Sequence, residues 1–291
     1  MTVKSVWMAF LLGAVVAACS KDTAGVLQTP PPLAGLRYFD AVPDTGYMDF
    51  RVVDIVAYAP NSVRASFRNG GNPQGITTTF PPPYLSVKAG ERHIRVFLDS
   101  TDLATASKVM FDTTVTFTEH HNYTFILYGS ARAGTLHSLV LDDTDQPLPT
   151  DTNSTVWVRT LNLAGGGGAG DTTGLGVPDV FVTTAAAPAG TPTFASPAYL
   201  TATAYQRVTI GALSALLTRT GTLTPVTVSG ALPAGVLGTA AVEPIAGALV
   251  KHSAMTVVVL PRSTPGAFIP TAFAAPGLVF LVDQQPPLTA P

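Results

Sequence analysis

From residue 35 onward the chain is a succession of short runs rich in β-branched and aromatic residues. LRYF, MDFRVVDIVAY, HIRVFL, TTVTFT, YTFILYG and LHSLVL follow one another, separated by clusters of Pro, Gly, Asn and Asp. Runs of this length and punctuation read as β-strands joined by turns. In Met48-Asp49-Phe50-Arg51-Val52 the polar Asp49 and Arg51 fall on one face, with Met48, Phe50 and Val52 on the other. One wet and one dry side is the pattern of antiparallel sheets packed as a sandwich. No stretch carries an amphipathic helical period over three turns; residues 212–219 (ALSALLTR) come nearest and are short. The sequence predicts an all-β protein.

The second half repeats the first in outline. Pro83-Tyr84-Leu85-Ser86-Val87 finds a counterpart in Ala198-Tyr199-Leu200-Thr201-Ala202, and YTFIL at 123–127 in MTVVV at 255–259. LHSLVLDDTDQPLP at 136–149 corresponds to PGLVFLVDQQPPLT at 276–289. The order of these marks predicts two tandem antiparallel β-sandwich modules, at 35–149 and 155–289, joined near 149–153. A mature chain of roughly 270 residues fits about two domains.

The N-terminus has the three parts of an export signal. Lys4 supplies the positive start, residues 6–16 an apolar run of about a dozen residues, and Ala17-Ala18 the small residues before a processing point. A membrane-spanning helix needs roughly 20 apolar residues, so this run is too short to be one. Val16-Ala17-Ala18-Cys19 resembles the bacterial lipobox, in which the cysteine receives diacylglycerol and becomes the first residue after cleavage. The resemblance implies a signal peptide at 1–18, lipid on Cys19 and attachment of the exported protein to a membrane. Two or more acyl chains anchor stably where one binds marginally. Ser20 in place of an aspartate implies the outer membrane of a bacterial cell envelope. Cys19 is the only cysteine, so no intrachain disulfide can form and stability must come from burial. Residues 19–34, with Pro30, Pro31 and Pro32, read as an extended tether. Charged residues make up 12% of the chain and net charge is −2, which argues against a nucleic-acid partner.

The two halves also resemble the domain of unknown function 4397 family of the bacterial envelope. Its modules open on an arginine-led strand, then an aspartate-proline type turn and a strand of the "vdvyv" kind. Here these are Arg37 to Asp44 with 48–52, and Arg159 to Asn162 with 178–182. A "y-x-x-v-x-a-G" strand and turn follows, seen as Tyr84 to Gly90. At the place of Gly90 the second half has Tyr205, a residue that rarely takes positive φ, so a different turn is expected there. The resemblance implies tandem immunoglobulin-like modules and an envelope address, with no assigned activity.

The search for chemistry returns thin candidates. Ser130, in GSARAG, lacks the second glycine and the following helix of a nucleophile elbow, and reads as a loop end. Of five histidines, His120 and His121 would point to opposite faces of a strand, and no helical metal-binding pair exists. Asp142, Asp143 and Asp145 form the one carboxylate cluster, a weak calcium candidate, since calcium wants several converging oxygens. Aspartates are equally turn residues, and the second half keeps only Asp283 there. Gly165, Gly166, Gly167 and Gly168 match neither a P-loop nor a dinucleotide fingerprint and read as an inter-strand loop able to carry recognition. No cofactor and no metal are expected. The preferred expectation is a lipid-anchored, non-enzymatic envelope protein that binds a glycan or another envelope component, or acts as a structural module. The alternative is a hydrolase or calcium-dependent protein with a site near Asp142, Asp143, Asp145 and His137.

Overall fold

In strand β2 (Met48–Val52) the side chains of Met48, Phe50 and Val52 enter a hydrophobic core, as their alternation predicts. Asp49 departs from it. The guanidinium of Arg51 lies over the Phe97 ring at 4.6 Å and donates to Asp49 at 3.0 Å, leaving this carboxylate only 1% exposed. These relations come from a computed structural model, which describes residues 31–46, 48–54, 66–67, 83–144, 154–165, 175–226, 230–239, 241–264 and 276–284. The expected signal peptide at 1–18, Cys19, most of the expected tether at 19–34, Asp145, Gly166, Gly167, Gly168 and the expected joint at 149–153 lie outside the described residues.

The described chain is all-β, with four sheets in two sandwiches. In the first module β1 (Leu33–Asp40), β4 (Leu85–Lys88), β7 (Asn122–Ser130) and β8 (Thr135–Asp142) form a sheet in the order β4-β1-β7-β8. Facing it, β3 (Ser66–Phe67), β2, β5 (Gly90–Leu98) and β6 (Val109–Phe117) run in the order β3-β2-β5-β6. The enclosed core is aromatic: Tyr38 stacks on Phe50 at 4.9 Å, and Phe50 meets Phe125 edge-on at 5.0 Å. The second module repeats the plan with β9 (Thr155–Asn162), β11 (Gln206–Thr209), β14 (Ala254–Leu260) and β15 (Gly277–Gln284) in the order β11-β9-β14-β15. Its opposite sheet is β10 (Pro178–Thr183), β12 (Ser214–Arg219) and β13 (Gly230–Ala231). Here the core is mainly aliphatic, with Val156, Val158, Val180, Leu217 and Val257 around Phe280. Each sandwich has one parallel pair, β1 with β7 and β9 with β14, and every other ladder among these strands is antiparallel. In each module the parallel partner returns by crossing from the facing sheet, from β6 to β7 and from β13 to β14, rather than by a tight hairpin.

The all-β expectation holds even at the nearest helical candidate, and one expectation, on the register of the repeat, is corrected. Residues 214–219 of the helical candidate ALSALLTR are strand β12, paired along its length with β10. The one helix among the described residues is a single turn, α1 (Leu103–Ala106), capped by Asp102, whose carboxylate accepts from Thr105 N at 2.9 Å. The correction concerns the register of the repeat. Tyr84 precedes β4, the partner of β1; the strand in that position beside β9 is β11, and Tyr205 precedes it. The counterpart of Tyr84 is therefore Tyr205 rather than Tyr199, and that of Gly90 is Gly211. A glycine thus stands at this turn in both modules, although only Gly90 of the two has positive φ, at +93°.

Candidate functional site

The sandwich pattern leaves one face of every sheet for solvent, yet β9 and β14 are buried at every position. Their outer faces meet those of β1 and β7. Phe39, Ala41 and Ile126 from the first module pack with Leu161, Leu163, Val258, Leu260, Val279 and Leu281 from the second. Apolar burial alone would account for a sticky interface. What distinguishes this one is that charges are buried in it.

Arg37 on β1 and Arg159 on β9 occupy the same place in their modules, each opposite a threonine of the parallel neighbour. Arg37 Nε donates to Thr124 Oγ1 at 2.6 Å, and Arg159 Nε to Thr256 Oγ1 at 2.7 Å. Both arginines point away from their own cores and are only 1% exposed. Each then reaches the carboxylate of the other module. Arg37 Nη2 donates to Asp283 at 2.5 Å and its Nη1 to the Val282 carbonyl at 2.7 Å, while Arg159 Nη2 donates to Asp143. Longer contacts close the square: Arg37 to Asp143 at 3.5 Å and Arg159 to Asp283 at 3.7 Å.

The carboxylates are held from their own side. Asp143 accepts from Tyr84 Oη at 2.8 Å and Thr124 Oγ1 at 2.5 Å; Asp283 accepts from Tyr205 Oη at 2.8 Å and Thr256 Oγ1 at 2.5 Å. Each tyrosine ring also lies under its own module's guanidinium, at 4.5 Å for Tyr84 and 4.9 Å for Tyr205. Two cations and two anions balance, and every carboxylate oxygen has a donor. That is the condition under which a buried ion pair offsets its desolvation. Burial works against both arginine charges, but Tyr84, Asp283 and Asp143 around Arg37, and Asp283, Tyr205 and Asp143 around Arg159, outweigh it and raise both guanidiniums above their ordinary value. Desolvation, aided by the neighbouring carboxylates, pushes both tyrosine hydroxyls up, so they act as neutral donors.

The calcium candidate comes apart in this geometry. Asp143 is committed to the inter-module network. Asp142, on the opposite face of the chain, meets His121 Nδ1 at 2.7 Å and accepts from Thr144 N at 3.0 Å. Asp145 lies outside the described residues, and His137 packs its ring beside Tyr128 at 5.6 Å. Among the described residues no three His, Cys, Asp or Glu side chains gather as metal ligands. Ser130 Oγ donates to Asp44 at 2.5 Å, and the same carboxylate accepts from Ala131 N and Arg132 N at 2.9 and 3.1 Å, closing the loop after β7. Of the glycine run only Gly165 is described; its carbonyl accepts from Asn162 Nδ2 at 2.9 Å.

Sequence reasoning took Arg37 and Arg159 as markers of module openings and missed their role. A signal was present: an arginine inside an otherwise apolar strand, repeated in both halves, with a threonine and an aspartate repeated at matching places.

The profile of the domain of unknown function family DUF4397 matches residues 34–172. This segment is similar to that family, in agreement with the resemblance read from the sequence. The match begins within β1 and continues through β9, so it includes Arg37, Tyr84, Thr124, Asp143 and Arg159 but stops before Tyr205, Thr256 and Asp283. The matched segment thus contains both arginines of the network and one of its two carboxylates. No curated protein matches the chain. Among the described residues no helix is long and apolar enough to cross a membrane.

Proposed function

We propose that this protein is a lipid-anchored component of a bacterial cell envelope, held at the outer membrane through diacylglycerol on Cys19. Its tandem sandwiches serve as a non-enzymatic binding or structural module. The observation that carries the reading is Val16-Ala17-Ala18-Cys19 directly after the short apolar run, with the sole thiol of the chain at the place where lipid is attached. The residues that follow support it: a proline-bearing tether leads into a pair of sandwiches whose mutual orientation is fixed by buried charge. A rigid pair of this kind holds its loops and sheet edges in constant relative positions, which suits recognition of an extended envelope ligand such as a glycan strand or a neighbouring envelope protein. The test is metabolic labelling with a palmitate analogue, with membrane fractionation of the parent and of Cys19→Ala. The parent should take up label and sediment with the outer membrane, and the variant should do neither. A Cys19→Ala protein that matures and stays with the membrane like the parent ends the reading. Glycan-array binding and proximity labelling on intact cells then address the ligand.

A further inference from the structure

The two modules connect their last sheets differently. In the first, β6 ends at Phe117 and the chain enters β7 after Thr118, Glu119, His120 and His121. In the second, Leu232 follows β13, and residues 233–253 intervene before β14. The two connections end alike: His120 and His252 both have φ of +65°, and their amides donate to Leu33 O and Thr155 O at 2.9 and 3.2 Å. The extra length is therefore an insertion with fixed ends, and it folds back on itself. Val236 N donates to Ile245 O and Ile245 N to Val236 O, both at 2.9 Å, and Thr239 N donates to Val242 O at 2.8 Å. At the base, Ala248 N reaches Pro233 O at 2.7 Å and Leu249 N reaches Ala234 O at 2.9 Å. Gly235, at φ +75°, permits the close crossing: a Cβ there would sit 2.5 Å from Ile245 O.

This hairpin exposes what a water-facing loop would bury or replace. Val236 is 50% exposed, Leu237 66%, Val242 55%, Ile245 55% and Leu249 42%. Other exposed large apolar side chains are scattered along the described chain, whereas these five fall within residues 236–249. Glu243 is the only charge in residues 233–250. Neighbouring residues of an extended hairpin arm point to opposite faces, so exposure of both Val236 and Leu237 makes both faces apolar. A protein partner or a second copy would cover one face and leave the other in water. A lipid interface surrounds a tip on all sides, and the pairs from Val236 to Ile245 and from Thr239 to Val242 hold part of this hairpin's backbone internally, which suits a tip lying at the headgroup–acyl boundary.

We propose that the 233–250 hairpin inserts into the lipid interface as a second membrane contact beside the acyl chains. With no basic residue in the hairpin, the contact depends on the apolar acyl boundary rather than on anionic headgroups. The proposal rests on the lipid-anchor reading for bringing the hairpin to a membrane. The test uses the full lipidated chain, whose Cys19 thiol is consumed by lipid, with Leu237→Cys carrying an environment-sensitive fluorophore and Leu103→Cys as the water-facing control. Leu103 is 81% exposed in the other module. On phosphatidylcholine vesicles the label at 237 should shift to the blue and be quenched by doxyl-labelled acyl chains, equally with and without phosphatidylglycerol, while the label at 103 changes in neither respect. The same variants on a Cys19→Ala background, with vesicles added at high concentration, separate the two ideas. Failure of the lipidated protein to float with vesicles overturns the anchor; a water-like label at 237 on protein that does float overturns the hairpin. A blue-shifted label at 237 before any lipid is added shows that protein already covers the hairpin, and also overturns it. A lipid-dependent shift on the Cys19→Ala background supports the hairpin even where the anchor fails.

Discussion

Arg37→Met keeps most of the side-chain stem and removes the guanidinium from the space between the modules. Four hydrogen bonds go with it: to Thr124 Oγ1 at 2.6 Å, Val282 O at 2.7 Å, Asp283 at 2.5 Å and, longest, Asp143 at 3.5 Å. Asp283 keeps its bonds from Tyr205 and Thr256, but its remaining cation, Arg159, stands 3.7 Å away and is already engaged by Asp143. One negative charge is then in excess where water cannot reach it. Removing one partner of a buried pair costs about 3–5 kcal/mol, a large part of the 5–15 kcal/mol that ordinarily separates folded from unfolded domains. Urea unfolding measures the loss, with far-UV circular dichroism reporting all strands and Trp157 fluorescence the second module. Trp157 is the only tryptophan beyond Trp7. At a slope of about 1–3 kcal/mol per molar urea, the midpoint should fall by about 1 M or more. Combining Arg37→Met with Asp283→Leu removes both signs of charge, so the double variant should lose less than the sum of the singles, by about 1–3 kcal/mol. Arg95→Met supplies the control. Arg95 Nε meets Asp112 at 2.7 Å, but the two side chains are 41% and 45% exposed, and its loss should leave the midpoint where it is. An Arg37→Met midpoint equally unmoved, or singles that simply add, would refute the claim that burial makes the network matter.

Three further outcomes follow from single sites. Burial, with a smaller contribution from Asp44 and against the Val42 amide bond, pushes the Asp40 carboxyl up to about 8. Folded Asp40 thus holds its proton far above the unfolded value near 3.9, so its contribution is fully present below about pH 4 and is lost as pH rises towards 8, by up to about 5 kcal/mol. Asp40→Asn should flatten this slope in melting curves taken from pH 4 to 8; parallel profiles for parent and variant would count against it. Gly129 has φ of +107° and its missing Cβ would collide with the Thr135 backbone, so Gly129→Ala should cost about 1–3 kcal/mol by thermal unfolding. Gly134→Ala, also at positive φ (+66°) but with open space around it, should cost less. Millimolar calcium should leave the melting temperature unchanged because Asp143 is fully occupied by its donors; a clear rise would restore the calcium reading.

The all-β class and the twofold repeat were legible because they depend on local chemistry: turn residues between β-branched runs, and alternation where one face is dry. The same rule gave no strand signal at 214–219, where Ala215, Leu216 and Leu217 are all buried and the strand shows no alternation. It was also silent on β9 and β14, which are covered on both faces. The run Met255-Thr256-Val257-Val258-Val259-Leu260 was the available warning, since a strand apolar on both faces is one buried on both. Tyr199-Leu200 resembles Tyr84-Leu85 as letters, and Tyr199 and Ala202 make isolated bridges to β9, but it is Tyr205 that directly precedes β11, the strand paired with β9 as β4 is with β1. Asp143 and Asp283 could be aligned from sequence, but which arginine each would meet depends on how two sheets face one another, and no local pattern encodes that.

The pairing runs across the modules rather than within them, and this bears on what the chain can do. Arg37 and Arg159, Thr124 and Thr256, Tyr84 and Tyr205, and Asp143 and Asp283 are equivalent by position, and each arginine makes its closest carboxylate contact with the aspartate of the other half. This is the relation between subunits across a two-fold axis, where residue i meets j and j meets i, realised here inside one polypeptide. Separating the halves would strip Phe39 and Ile126 on one side and Leu161, Val258 and Leu281 on the other of their cover, and would leave each arginine without its nearest carboxylate. Two sandwiches joined only by a linker are free to reorient. These are fixed by apolar burial and by a charge arrangement that is satisfied in a single register. A ligand that touches both modules therefore meets a preformed surface and does not bear the cost of ordering it.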